Sequence, residues 1–324
     1  MISIVVSTRG NGDALPTLLS ALAEQTLAGG DLEVVLVDND PPGRRGAVQA
    51  AAVGGAWPFP VRVLREARPG ASRGRNHGIR AARGRYIVLT DPDIRPREGW
   101  LEALMAAAID EGAAVVGGKV LTYYPEGTAI PLEWPITRPL AECHGPLDWP
   151  SARTSYGWPY WIVTANMLID RLALPTLGLL RTDLGRRGKL PLDCEDLEYA
   201  DRALQAGLRV VIEPEAVVDH PVGFPQTRFA WFLTQGIGHG ICVARMRTSV
   251  AVPAAALRAR AADLCEAADG LIRAWGFLDS AQATASLRDI ARIAAYHAER
   301  TRLLLTGRTL LPAAPSRTHE RDTA

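Results

Sequence analysis

The chain has 324 residues, 48% of them hydrophobic and 22% charged, with 36 Lys plus Arg against 35 Asp plus Glu. That is the composition of a folded protein with one large or two modest domains, and it excludes collagen-like, coiled-coil and intrinsically disordered chains. A formal net charge of +1 supplies no overall field to steer the protein to nucleic acid or an anionic membrane.

The first third alternates strand and helix signals. Ile2–Thr8 is a β-rich apolar run, and 14–25 has helical spacing, with Asp13 placed to cap it and Pro16 where proline is tolerated. Strands are predicted at 33–37, 61–64, 86–90 and 113–121, with helices at 72–82 and 96–109 between them. This βαβα order with near-continuous apolar strands predicts an α/β fold, its mostly parallel sheet covered on both faces. Ligands of such sheets bind at the carboxyl ends of strands, where Asp38 and Asp91 stand. Residues 123–160 are rich in proline and aromatics and read as an insertion or active-site loop, with Trp158 and Trp161 at its end. A strand is expected at 162–169, a helix at 195–206 closed by Gly207, and short strands at 209–212 and 216–218. Residues 228–247 have helical spacing weakened by Gly236, Gly238 and Gly240, so Gln235–Gly240 also reads as a flexible loop. Residues 253–306 are Ala/Leu/Arg-rich and helical in pattern, and 310–324 reads as a tail.

Four cysteines, Cys143, Cys194, Cys242 and Cys265, form no CxxC pair, which excludes a zinc ribbon. The N-terminus has neither a basic region nor a long apolar run, and no stretch reaches the ~18 apolar residues of a membrane span. A cytoplasmic, reduced and soluble protein is the expectation, with a peripheral membrane contact left open.

Several clusters carry chemistry. Asp91-Pro92-Asp93 follows a buried strand and puts two carboxylates within reach of one hard cation. Asp38 ends another strand, where a carboxylate can accept from a ribose or a base. Pro69–Gly78, glycine- and arginine-rich and leading into a helix, suits a diphosphate through backbone N–H groups and Arg75. It is neither a Walker A loop nor a GxGxxG turn. Glu195 and Asp196 open a helix; either capping or a general base accounts for them. His220 ends an apolar run and is a candidate third metal ligand. The aromatic residues of 123–161 suit stacking on a sugar or planar acceptor.

In order and spacing, these pieces resemble family 2 glycosyltransferases of GT-A fold. The resemblance runs through Ser3–Arg9, Leu18–Leu22 with Gln25, Val35–Asp40, Gly70 with Arg75–Gly78, and Tyr86–Asp93. It continues through Ala165–Met167, Glu195–Glu198 with Arg202, and Val217–Pro221. It implies a catalytic domain over 1–222, with a nucleotide-sugar half at 1–121 and an acceptor and base half at 122–222. A helical region at 223–308 and a tail at 309–324 lie beyond it.

The resemblance further implies a nucleoside diphosphate sugar donor, UDP-sugar favoured, transferred with inversion to a small-molecule, lipid-linked or protein acceptor. Thr8, Arg9, Asp38 and Arg75 would contact nucleoside and phosphates, and Asp91 the ribose or sugar. Asp93, helped by His220, would hold Mg2+ or Mn2+. Asp196 would be the base, and Glu195 would hold a loop or an acceptor hydroxyl. Trp158, Trp161 and Asn166 are the acceptor-side candidates. Two departures stand out: Ser7-Thr8-Arg9 replaces the Pro-Thr of many relatives, and the QxxRW of processive polymerases is missing after 195–206. Single transfer follows from the second. A retaining enzyme is the nearest alternative, ahead of a sugar nucleotidyltransferase, which the lysine count of two disfavours, and of a non-catalytic binder. The C-terminal helices could serve as a cap, a homodimer element or a membrane contact; mixed charges favour the first two.

Overall fold

The computed structural model describes residues 1–25, 32–41, 46–126, 138–187, 192–246, 266–267, 270 and 280–306. They fall into two compact units: Met1–Pro125, Gly145–Lys189 and Glu195–Val222 in the first, and Glu126–His144, Leu190–Cys194 and Gly223–Ala324 in the second.

In the first unit, β1 (Ile2–Thr8), β2 (Leu32–Asp38), β3 (Val61–Arg65) and β4 (Tyr86–Thr90) pair in parallel. They are joined through α1 (Leu15–Ala23), α2 (Ala47–Val53) and α3 (Ala71–Ala81). The alternation of a strand explains the two cores. Ile2, Ile4 and Val6 of β1 pack with Leu15, Leu18 and Leu22 of α1, whereas Val5 points to the opposite face with Ile79 of α3. Both faces are therefore dry, and each fully buried Val or Leu contributes about 1.5–3 kcal/mol.

The sheet order is β3-β2-β1-β4-β8-β6-β9-β5. It includes β5 (Arg95–Pro96), β6 (Val115–Tyr123), β8 (Asn166–Asp170) and β9 (Val210–Pro221), with β7 (Thr154–Ser155) against β9. The chain passes from β1 outward to β2 and β3, then returns to the other side of β1 as β4. The carboxyl ends of β1 and β4 thus flank a topological switch point, the place where α/β sheets leave a crevice.

The second half of the sheet is mixed rather than parallel. β8 inserts antiparallel between β4 and β6, so the strand predicted as fifth in a parallel series does not adjoin β4. β8 begins at Asn166, four residues later than the apolar run suggests. The two short strands expected at 209–218 are one, β9. Its register against β6 jumps from Gly118↔Glu213 to Lys119↔Val217, and Pro214 sits in the unpaired stretch, where a missing N–H costs nothing. The helix expected at 96–109 is α4 (Trp100–Asp110), because Arg95–Pro96 pairs with β9 first. Asp13 lies within a 3-10 turn, and the residue capping α1 is Ala14 with no side-chain bond. Helix α7 (Glu195–Gln205) follows α6 (Leu174–Leu177) and leads into β9, the last strand of the unit.

The second unit contains α5 (Arg138–Ala141), α8 (Phe229–Met246) and α9 (Ser280–Leu305). Gln235–Gly240 is helical, not a loop. A Cβ on Gly240 would stand 2.0 Å from the Arg292 carbonyl oxygen, and one on Gly236 would stand 2.6 Å from that of Arg288. The glycines that lower helix propensity are those that let α8 and α9 approach backbone to backbone. The tail expected at 309–324, and 253–265, lie outside the described residues. Among the described residues no helix is long and apolar enough to cross a membrane.

Candidate active site

The site grows from the carboxyl ends of β1, β2 and β4. Thr8 and Asp38 are register partners at the ends of β1 and β2. Asn39, the next residue, is a buried pin. Its amide donates to the Glu66 and Arg68 carbonyls at 2.7 and 2.8 Å and accepts from Gly70 N at 3.0 Å, which fixes the turn into α3. Gly74 and Gly78 let α3 lie directly on the sheet, since a Cβ there would stand 2.0 Å from Ser7 Oγ and 2.2 Å from Val5 Cγ1. That close seating delivers Arg75, buried, to the crevice.

Arg75 is shared between two carboxylates. Its Nη2 donates to Asp91 Oδ1 and its Nη1 to Glu195 Oε1, each at 2.7 Å. Burial raises the Asp91 carboxyl, but Arg75 and His220 outweigh it and hold that carboxyl below its ordinary value. Asp196 differs. Burial and the neighbouring Glu195 charge push it up to about 7, against hydrogen bonds from Leu197 N (2.9 Å) and Thr164 N (3.2 Å) and the more distant pull of Arg75. Two adjacent acids are thus divided: one is neutralised by a guanidinium, and the other titrates near neutrality.

On the far side of Asp91, Asp93 Oδ1 lies 3.6 Å from His220 Nε2, and its Oδ2 accepts from Asn11 Nδ2 at 3.3 Å. Burial lowers the His220 imidazole, but Asp93 and Asp91 more than restore it, so it protonates more readily than a free histidine. Among the described residues Asp91, Asp93 and His220 do not bring three donor atoms together; Asp93 and His220 come as a pair.

Asp38 is clamped. Its Oδ1 accepts from Arg65 Nη1 at 2.7 Å and from Asp40 N at 2.8 Å. Arg65 also reaches the Asp40 carbonyl, and Gly10 N donates to Asp40 Oδ1. Arg9, exposed, donates to the Asn39 carbonyl at 3.1 Å.

Residues 3–161 match the model of "Glycosyl transferase family 2". Over that stretch, just under half of the chain, the sequence is similar to glycosyltransferase family 2. Among curated relatives, the "Pre-mycofactocin glycosyltransferase" of Mycobacterium tuberculosis is 27% identical over 220 residues, covering 68% of this chain and 42% of the relative. The chain therefore spans about two fifths of that relative's length. Among solved structures, the mannosyltransferase PcManGT from Pyrobaculum calidifontis, in complex with GDP-Man and Mn2+, superposes with a TM-score of 0.59 at 19% identity, covering 91% of this chain and 86% of that one. GalNAc-T7 with UDP, GalNAc and Mn2+ gives a TM-score of 0.53 at 15% identity, over 78% of this chain and 51% of that one. The fold is GT-A.

Within this GT-A fold the structure brings Asp38, Arg75, Asp91, Asp93, Glu195, Asp196 and His220 to one end of the sheet. Asn166 departs from the acceptor role expected of it. It is fully buried, accepts from Trp100 Nε1 at 2.8 Å and donates to the Lys119 and Ala216 carbonyls, so its hydrogen-bonding groups are spent on the fold. Trp158 is exposed and Trp161 packs against the core on the α3 side of the sheet. Sequence reasoning missed Arg65 and Asn39. The only signal for Arg65 was an arginine ending a strand parallel to β2, level with Asp38 in the register.

Proposed function

We propose that this family 2 domain moves a sugar from a nucleoside diphosphate sugar, UDP-sugar in the first instance, to an acceptor hydroxyl by a single in-line displacement with inversion. The observation that carries the reading is the division of labour around Arg75. The guanidinium ties Asp91, at the end of β4, to Glu195, and leaves Asp196 beside it as a carboxyl near 7. A general base works best when its pKa lies near the operating pH.

Donor binding falls to the other end of the same cluster. Asp38 Oδ2 takes no hydrogen bond among the described residues, so it is open to a ribose hydroxyl or base edge, while Arg65 holds the carboxylate still. Among the described residues, Thr8 Oγ1 and Arg75 Nε are buried without a partner. Native folds leave few such atoms, and a bound donor supplies partners to both. Arg9, exposed, supplies positive charge for a diphosphate.

Asp93 and His220 fit a divalent cation. One carboxylate and one imidazole leave the remaining positions of Mg2+ or Mn2+ to diphosphate oxygens and water. When bound, the ion neutralises charge that develops on the leaving diphosphate. Asp196 accepts the acceptor hydroxyl proton, and its two backbone donors fix the carboxylate while leaving each oxygen a free lone pair. Glu195 is held by Arg75.

The test is turnover of a labelled nucleotide-sugar panel with and without EDTA, in wild type and Asp93→Ala, with the anomeric configuration of the product read by NMR. Loss of transfer in both cases and an inverted product are expected. Undiminished turnover in excess EDTA removes the metal from the mechanism, and a retained configuration removes the single displacement.

A further inference from the structure

We infer that Asp193, Cys194 and His239 form a binding site for one Zn2+ ion, a donor set separate from Asp93 and His220. The three side chains bring a carboxylate oxygen, a thiol sulfur and an imidazole nitrogen to within 4.8 Å of one another. The separations are more telling. Asp193 Oδ2 is 3.0 Å from His239 Nδ1, Cys194 Sγ is 3.0 Å from Asp193 Oδ1, and Cys194 Sγ is 3.5 Å from His239 Nδ1. A tetrahedral ion with bonds of about 2.0 Å to nitrogen and oxygen and 2.3 Å to sulfur spaces its donors about 3.3–3.8 Å apart. The two separations from His239 Nδ1 lie within a few tenths of an ångström of that spacing, and the thiol meets the other oxygen of the same carboxylate.

Two features of the chain build this convergence. Neighbouring side chains normally diverge, but Cys194 has φ +65°, the one positive φ at a non-glycine residue among those described. With that left-handed turn the thiol folds back onto the preceding carboxylate. Helix α8 then presents Gln235, His239 and Cys242 at i, i+4 and i+7, one face of a helix. Gln235 Nε2 donates to Asp193 Oδ2 at 3.3 Å, and Cys242 Sγ accepts the Asp193 N–H at 3.3 Å, so the carboxylate and its backbone are both oriented by a supporting shell. Cys194 is buried, whereas the Asp193 and His239 side chains are 33% and 32% exposed, which leaves an entry path.

The chemistry of the set selects the ion. Thiolate with imidazole and carboxylate suits Zn2+ and not the hard Mg2+. Binding deprotonates the Cys194 thiol, and that proton goes to solvent; His239 ligates through the Nδ1 lone pair as a neutral imidazole. The fourth position is left to water. A Cys–His nucleophile pair is the rival reading, and the geometry disfavours it: thiol and carboxylate both meet the same ring nitrogen, Nδ1, so the ring cannot relay a proton between them.

The experiment uses the purified full chain, stripped with EDTA and titrated with Co2+ as a spectroscopic probe. A thiolate-to-cobalt charge-transfer band with the strong visible bands of a tetrahedral site is expected, saturating at one equivalent, displaced by Zn2+ and weakening as pH falls. Cys194→Ser abolishes the charge-transfer band, His239→Gln weakens Co2+ binding at least tenfold, and Asp93→Ala leaves the band in place. Absence of the band in wild type, or its persistence in Cys194→Ser, overturns the proposal. If Cys194→Ser does not fold by circular dichroism, His239→Gln decides: an unchanged titration in that variant overturns the proposal equally.

Discussion

Asp196 titrating at about 7 sets a definite pH dependence. As the proposed base it must be ionised to accept a proton, so kcat/KM, which reports the free enzyme, should rise with pH through that value. About one tenth of the carboxyl is ionised at pH 6 and about nine tenths at pH 8, a tenfold span. The perturbation that tests the cause is Glu195→Gln. The Glu195 charge is the second reason, after burial, that Asp196 is raised. The amide removes it and leaves Arg75 with one less carboxylate, and both changes favour the Asp196 anion. The acid limb is expected to move down by about one unit with the plateau largely kept, measured as initial rates of labelled transfer from pH 5 to 9. Asp196→Asn instead loses the limb together with roughly 10²–10⁴-fold of kcat. A limb that stays in place in Glu195→Gln, or near-normal kcat in Asp196→Asn, refutes the assignment. Stability follows with the sign fixed by linkage. Because the native pKa lies above the unfolded one, the native state binds more protons between about 4 and 7, so stability falls as pH rises through that window. Asp196→Asn should therefore gain melting temperature relative to wild type at pH 8 and not at pH 4.

Arg75→Met leaves Asp91 and Glu195 without their shared cation and should cost about 3–5 kcal/mol, the usual result of breaking a buried ion pair. Urea unfolding measures it, and a loss below about 1 kcal/mol would contradict the bridging geometry. Asp38→Ala should raise donor KM more than it lowers kcat, because the nucleoside is held alike in ground and transition states; unchanged nucleotide affinity by calorimetry counts against that contact. Gly240→Val puts side-chain carbon against the Arg292 carbonyl and should lower the melting temperature by several degrees, whereas an unchanged melting curve would mean that α8 and α9 do not pack as described.

What the sequence made legible was local. The apolar runs of β1 to β4 name themselves because both faces of a covered strand must be hydrophobic, and Asp38, Asp91 and Asp93 follow because strand ends in such sheets are where polar groups meet the crevice. Asn166 shows the limit. Its position after the aromatic insertion is that of an acceptor contact. Its role is set by Trp100, Lys119 and Ala216, at separations of 66, 47 and 50 residues, and one strand alone cannot announce those neighbours. The glycines of α8 mislead for a related reason. Propensity counts them as breaks, while a close-packed partner helix makes any larger side chain costlier than the lost entropy.

Arg75 carries the same lesson into the mechanism. Read locally, an arginine opening a helix after a glycine turn is a phosphate ligand. In the fold its two terminal nitrogens are committed to carboxylates 16 and 120 residues away, and among the described residues its Nε is buried and unpartnered. In the proposed mechanism a guanidinium so committed would contribute to donor binding through that one nitrogen and through its charge. Its larger effect is to fix the distance between the strand end that carries Asp91 and the helix that carries Glu195 and Asp196. Inverting displacement requires the base on the side of the anomeric carbon opposite the leaving diphosphate, so the spacing of those two elements sets the reaction geometry. Lysine offers a single ammonium and cannot hold two carboxylates with paired, divergent N–H groups. Arg75→Lys should accordingly keep most of the stability that Arg75→Met loses yet recover little of its kcat. Full recovery of turnover in Arg75→Lys would show that charge alone, and not the bridge, matters at this position.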